Sequence, residues 1–111
     1  MLLSKKSKGR WSEDLVLKYF EKFEFELVCR NQRIAGVEVD LLFQRRKVMH
    51  LVEVKYCSWP QVDVQILSER QLHRLHRAVI QLVAGGHQVR GWLAVVTANQ
   101  KVQVFENFGH S

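Results

Sequence analysis

Asp40, Glu53 and Lys55 are the side chains whose types and spacing could do chemistry. Glu53 and Lys55 sit two apart in Val-Met-His-Leu-Val-Glu-Val-Lys-Tyr-Cys, residues 48–57, interleaved with Val52 and Val54. A strand throws successive side chains to opposite faces, so the valines point one way and Glu53 and Lys55 the other. The segment from Gly36 to Phe43 alternates in the same manner, with Glu38 and Asp40 on one face and Val37, Val39 and Leu41 on the other. Two antiparallel strands joined by a turn near Gln44 to Lys47 bring Asp40 close to Glu53. Three carboxylates and a lysine then converge on a site able to hold a divalent cation through oxygen ligands of the kind magnesium prefers.

Glu-x-Lys alone is equally the mark of an exposed cross-strand ion pair, worth about 0.2–1 kcal/mol. The apolar strand around it and the two acids on the strand before it sharpen the reading. Like charges crowded together destabilise unless something positive joins them, and a metal ion does this more completely than Lys55.

The elements that must position these groups are legible in order. Residues 1–9 carry Lys5, Lys6 and Lys8 among Ser and Gly and read as a basic flexible arm, followed by one α/β domain over 10–111. Ser12 is placed to cap a helix, with Glu13 and Asp14 in its acidic first turn. Leu15, Val16, Tyr19, Phe20 and Phe23 form its apolar face, and Glu13 falls at the flank of that face. Phe25 to Arg30 reads as a strand interrupted by Asn31-Gln32-Arg33. Pro60 closes the Glu-Val-Lys strand, and residues 61–67 fit either strand or loop. Ser68 caps a second helix marked by Leu72, Leu75, Val79, Leu82 and Val83 and stopped by Gly85-Gly86. Its opposite face carries Arg70, His73, Arg74, Arg77 and Gln81, and Gln71 borders the apolar face. Val89 to Thr97 and Val102 to Phe105 are the last strands, the latter an edge and a candidate self-association surface. The fold class is α/β, a single domain with a mixed five-stranded sheet flanked by helices in the order αβββαββ. An antiparallel meander of three strands is followed by a right-handed parallel crossover.

Composition narrows the partners. Of 111 residues, 17 are Lys or Arg and 11 are Asp or Glu, a net charge of +6. A basic domain of this size suits a polyanion, nucleic acid before membrane. Arg10, Arg33, Arg70, Arg74 and Arg77, with the lysines of the arm, are the candidate phosphate contacts; a solvated helix back and an ordinary tail remain the plain alternatives. Cys29 and Cys57 have no metal-ligand spacing and read as reduced thiols of a cytoplasmic protein. His73 and His76, three apart, lack a third soft ligand and read as surface residues. No apolar run reaches the roughly 20 residues of a membrane span, and no secretion signal is visible.

With these pieces in order, the sequence resembles the PD-(D/E)XK nuclease superfamily, and within it the small YraN-like family of predicted endonucleases, related in pattern to archaeal Holliday junction resolvases. The matching pieces are Gly9-x-x-Ser12-Glu13, Arg30-Asn31-x-Arg33, Glu38-Val-Asp40-Leu41-Leu42, Val52-Glu53-Val54-Lys55 and Arg70-Gln71. The resemblance implies a restriction-endonuclease-like fold and Mg²⁺-dependent hydrolysis of DNA phosphodiesters, with Mn²⁺ as a substitute and no small-molecule cofactor. It implies metal binding at Asp40 and Glu53, helped by the Val54 carbonyl and by Glu13 directly or through water. It also implies a catalytic role for Lys55, which we read as electrostatic, because acting as a base would require it to release a proton beside three carboxylates. Gln71 would position substrate, and Glu38 would serve a second metal or the surface. Branched intermediates of recombination or repair are the substrates that the likeness to resolvases suggests, and a homodimer would match two sites to two strands. The alternative is a nucleic-acid-binding module that keeps the fold without catalysis. Ser12 stands where the family usually has Gly, and Val37 intervenes where the family has Gly directly before the acidic piece. Arg70 stands where Lys is common; a guanidinium does not give up its proton, so phosphate contact is what that position implies.

Overall fold

A computed structural model describes residues 5–34, 36–57 and 69–106, with side chains described over 9–34, 36–57 and 72–106. The elements run α1 (Lys5–Glu21), β1 (Glu26–Ile34), β2 (Val37–Arg45), β3 (Val48–Cys57), α2 (Glu69–Ala84), β4 (Gln88–Thr97) and β5 (Val102–Glu106). They form one five-stranded sheet in the order β1-β2-β3-β4-β5. The first three strands are an antiparallel meander, β3 and β4 are parallel across α2, and β5 returns antiparallel to β4. The mixed α/β sheet expected from the sequence is therefore the one observed.

Adjacent residues of β3 show how the two helices share the sheet. Leu51 packs with Leu75, Ala78, Val79 and Leu82 of α2, whereas Val52 packs with Val16 and Phe20 of α1. Each helix thus covers one face, and the middle strands are apolar on both sides, as a parallel-containing sheet requires. On the α1 side Phe20 stacks on Phe43 at a centroid distance of 4.9 Å and meets Phe25 edge-on at 5.0 Å. His50 is buried beneath this cluster, where it accepts a hydrogen bond from Trp92 Nε1 at 3.0 Å through Nδ1. The bond satisfies Nδ1, and burial pushes the His50 pKa down. Past α2, Gly86 at φ 94° lets His87 and Gly86 donate back to the Leu82 and Val83 carbonyls, the glycine-closed helix end expected there.

Several local expectations are corrected. The first helix begins at Lys5 rather than Ser12, so residues 5–9 of the expected arm have helical backbone. Lysine and arginine are good helix formers, and Trp11 packs edge-on to Tyr56 at 6.1 Å, which draws the upstream turns into the helix. Ser12 is consequently a buried mid-helix residue, not a cap, and Glu13 and Asp14 are not in the first turn. Phe23 lies beyond the helix end and Val83 on the outer side of α2, both half exposed. β1 continues through Asn31-Gln32-Arg33 instead of stopping, because Asn31 takes φ 54°, a left-handed conformation that asparagine tolerates. A bulge between Leu27 and Cys29 breaks the expected alternation and leaves Leu27 and Val28 both exposed. Val37 and Val39 pack on the α2 side but Leu41 and Phe43 on the α1 side, so these residues do not share one face. The alternation slips at Asp40, opposite the kink at Asn31. Ser68 and residues 61–67 lie outside the described residues, as do the side chains of Lys5, Lys6, Lys8, Arg70 and Gln71.

The β2–β3 turn is tighter than expected. Only Arg46 and Lys47 link the strands, at φ 52° and 66°. Two positive φ angles in a two-residue loop suit Asn-Gly, and non-glycine residues there are strained. Arg46→Asn with Lys47→Gly is expected to raise stability by about 1 kcal/mol. Urea unfolding measures it; an unchanged midpoint would mean that the turn carries no strain.

Candidate active site at the fork of the sheet

The β2–β3 ladder runs from Arg45↔Val48 to Leu41↔Val52 and stops there. Beyond it, Val37, Val39 and their neighbours pair with β1, while Glu53 to Cys57 pair with β4. The two strands therefore part into a fork. Asp40 stands at its base on one prong, and Glu53, Val54 and Lys55 follow on the other. α1 closes the fork from one side with Gly9, Ser12 and Glu13, and α2 reaches it with Arg74. Together with Glu38 and Tyr56 these residues line a cavity of about 420 Å³. The slip at Asp40 makes this possible, since it turns Asp40 into the opening instead of leaving it in register on the sheet.

One hydrogen bond pins the base of the fork. The Val54 N–H, freed from the β2 ladder, donates to Asp40 Oδ2 at 2.8 Å. A backbone donor to a carboxylate favours the charged form. Burial outweighs it here, and with Glu13 and Glu38 nearby the Asp40 pKa is pushed up to about 6. Burial and then the charge of Asp40 push Glu53 higher, to about 8, against the pull of Arg74. Two part-buried acids whose pKa values are both pushed up, that of Glu53 above neutrality, mark a place short of positive charge.

The cations present answer this shortage in part. Lys55 lines the cavity beside Glu53, and Arg74 Nη2 lies 3.9 Å from Glu53 Oε1. Arg74 was expected on a helix face pointing away from the sheet. It is 48% exposed, yet it bends over the end of the fork.

Glu13 reaches the cavity but is engaged elsewhere. Its Oε1 accepts from Arg30 Nε at 3.2 Å and from Asn31 Nδ2 at 2.9 Å. Arg30 also pairs with Asp14 at 2.8 Å and donates to the Arg10 carbonyl. Glu13 is thus held to β1 through Oε1 while it lines the cavity that Asp40 and Glu53 share. Among the described residues no three His, Cys, Asp or Glu side chains form a group able to hold a metal ion. What the fork offers is two carboxylates and the Val54 carbonyl, an all-oxygen set. Magnesium is commonly held by one or two carboxylates while it keeps several waters.

The Arg30-Asn31 pair was noticed in the sequence as a motif, but its task of holding Glu13 was not legible there, since it depends on the kink at Asn31. Ser12 Oγ, buried and without a hydrogen-bond partner among the described residues, also lines the cavity. Of the candidate phosphate contacts with described side chains, Arg10, Arg33 and Arg77 are exposed. Asn31→Gly keeps the φ and loses only the side-chain bond, at about 1 kcal/mol. Asn31→Val adds a β-branched residue at positive φ and is expected to cost roughly 2–3 kcal/mol. Equal unfolding midpoints for the two variants would contradict the strain.

Comparison with known proteins follows the same outline. The sequence pattern of the family described as uncharacterised protein family UPF0102 matches residues 12–103. A UPF0102 protein of Aliarcobacter butzleri is 24% identical over 105 residues, covering 92% of this chain and 96% of the relative. A UPF0102 protein of Ruegeria pomeroyi is 30% identical over 108 residues, covering 92% of this chain and 88% of the relative. Among solved structures, Hjc of Archaeoglobus fulgidus, a Holliday junction resolvase from an archaeal hyperthermophile, superposes with a TM-score of 0.63 at 20% identity, over 90% of this chain and 73% of that one. The likeness establishes the fold as resolvase-like, in agreement with the restriction-endonuclease-like architecture expected. Among the described residues no helix is long and apolar enough to cross a membrane.

Proposed function

The chain belongs to the uncharacterised protein family UPF0102, and from that premise we propose that it is a metal-dependent endonuclease hydrolysing DNA phosphodiester bonds at the fork. The observation that carries the proposal is the pair Asp40 and Glu53 on parting strands, both pushed towards the protonated form, with Lys55 beside them. A bound Mg²⁺ or Mn²⁺ would lower the pKa of its water and neutralise charge building on the phosphate.

The chain's own residues do the rest. Val54 N–H fixes one oxygen of Asp40, which leaves the other to face a ligand. Glu53 and Lys55 are held in line by continuous pairing of β3 with β4. Lys55 stabilises the negative charge of the transition state from that fixed position. Glu13, held by Arg30 and Asn31, acts through water at the cavity wall. Arg70 and Gln71, in the first turn of α2, would hold substrate. A net charge of +6 and the exposed Arg10, Arg33 and Arg77 supply attraction for the DNA backbone. The fold shared with a Holliday junction resolvase favours branched DNA of recombination or repair, with a homodimer offering one site to each strand. The two free cysteines suit a reducing cytoplasm.

The engagement of Glu13 by β1 favours a second reading, a DNA-binding module that has kept the fold without catalysis. Incubating a labelled four-way junction and a linear duplex with Mg²⁺, Mn²⁺ or EDTA separates the two. The proposal expects cutting in either metal, none in EDTA, and preference for the junction. Binding of both substrates with neither cutting nor calorimetric uptake of metal supports the module.

A further inference from the structure

We propose that Arg74 couples cation binding to DNA binding: it rests on Glu53 in the metal-free chain, and it turns to a DNA phosphate once a divalent cation has taken its place. The inference deepens the nuclease reading and rests on it.

Arg74 stands at the edge of the exposed face of α2, one turn before the buried Ala78. Its guanidinium nevertheless reaches Glu53 at 3.9 Å, the long limit of an ion pair, from a side chain that is 48% exposed. Such a pair is weak and easily exchanged. Glu53 is different, since its carboxylate is only 15% exposed and lies in the fork with Asp40. A divalent ion on Glu53 satisfies that carboxylate more fully than a distant guanidinium does, and it repels the guanidinium. The freed side chain remains at the cavity it lines with Lys55, within reach of a backbone phosphate that approaches the fork. A planar guanidinium fork matches phosphate oxygens two at a time.

The consequence has a diagnostic sign. Divalent ions ordinarily weaken protein–DNA binding, because they compete for the phosphates. Here the cation should strengthen it, by releasing one more phosphate contact.

The test uses the full chain, a fluorescent duplex and Ca²⁺ at constant ionic strength, with gels confirming that the DNA stays whole. Calorimetry without DNA measures Ca²⁺ binding alongside. For the wild type, Ca²⁺ should tighten DNA binding about tenfold, as one added charge-assisted contact allows. Arg74→Met should bind Ca²⁺ at least as tightly as the wild type and show no gain in DNA affinity. Arg74→Lys, which keeps the charge without the fork, should recover part of the gain. Arg74 is an exposed helix residue, and circular dichroism checks that both variants are folded. The same Ca²⁺-induced gain in Arg74→Met overturns the proposal, as does a wild type that binds Ca²⁺ but gains nothing for DNA. A wild type that takes up no Ca²⁺ overturns the underlying nuclease reading, and the coupling falls with it.

Discussion

Glu53→Gln is expected to reduce cleavage by on the order of 10³-fold or more and at the same time to make the metal-free protein more stable. The loss follows from deleting one of two carboxylates offered to the cation. The gain follows from the crowding that makes the site. Glu53 has an ordinary carboxyl pKa of 4.5 outside the fold and about 8 inside it. Between those values the folded chain holds a proton that the unfolded chain has released. The stability contribution is therefore complete below pH 4.5 and is lost as pH rises through about 8. Asp40, raised from 3.8 to about 6, adds a loss of the same sign at lower pH. The glutamine variant escapes the Glu53 part, so its advantage grows with pH and reaches on the order of a few kcal/mol above pH 8. Added Mg²⁺ should restore the wild type at alkaline pH and do less for the variant. Thermal melts over pH 5–9, with and without metal, measure all of this. A wild-type stability that is flat over that range would mean that the two acids are not crowded as described.

Lys55→Met should reduce cleavage by about 10²–10³-fold while leaving metal binding intact or tighter. Lys55 shares the cavity with Glu53 but offers no ligand oxygen, and removing a positive charge beside two carboxylates favours a cation. Its pairing partner across the sheet, Val95, is fully buried, so the strand holds the position whatever the side chain there. Single-turnover cleavage and Mn²⁺ calorimetry separate the two effects. If the variant cuts at the wild-type rate, Lys55 is only an ion-pair partner. If it loses metal, Lys55 orders the site instead of acting on the phosphate.

Much of the frame was legible because it rests on local patterns. The strand at Val48–Cys57 follows from its valines and the alternation of Glu53 with Lys55, and the strand order follows from short turns and one long crossover. The helix start was missed because a serine followed by acids matches a cap, whereas packing of Trp11 against Tyr56 extends the helix upstream. Asp40 reaches Glu53 as expected, but the slip that parts Leu41 from Val37 and Val39 was missed for a different reason. Alternation assumes an unbroken strand, while the slip at Asp40 arises between two strands, opposite an asparagine in a left-handed conformation. No single-strand pattern contains that. Arg74 was assigned to the outer face of its helix, and its side chain is long enough to leave it. The engagement of Glu13 by Arg30 and Asn31 likewise depends on contacts across 17 or 18 residues of chain.

The central claim is that Asp40 and Glu53 hold a cation used to cut DNA. Its most direct test is single-turnover cleavage of a labelled four-way junction by the wild type and by Glu53→Gln, each in Mn²⁺ and in EDTA. The account predicts cutting by the wild type in Mn²⁺ alone, with the variant folded, more stable and inactive. Equal cutting by both proteins, or cutting that persists in EDTA, would contradict it.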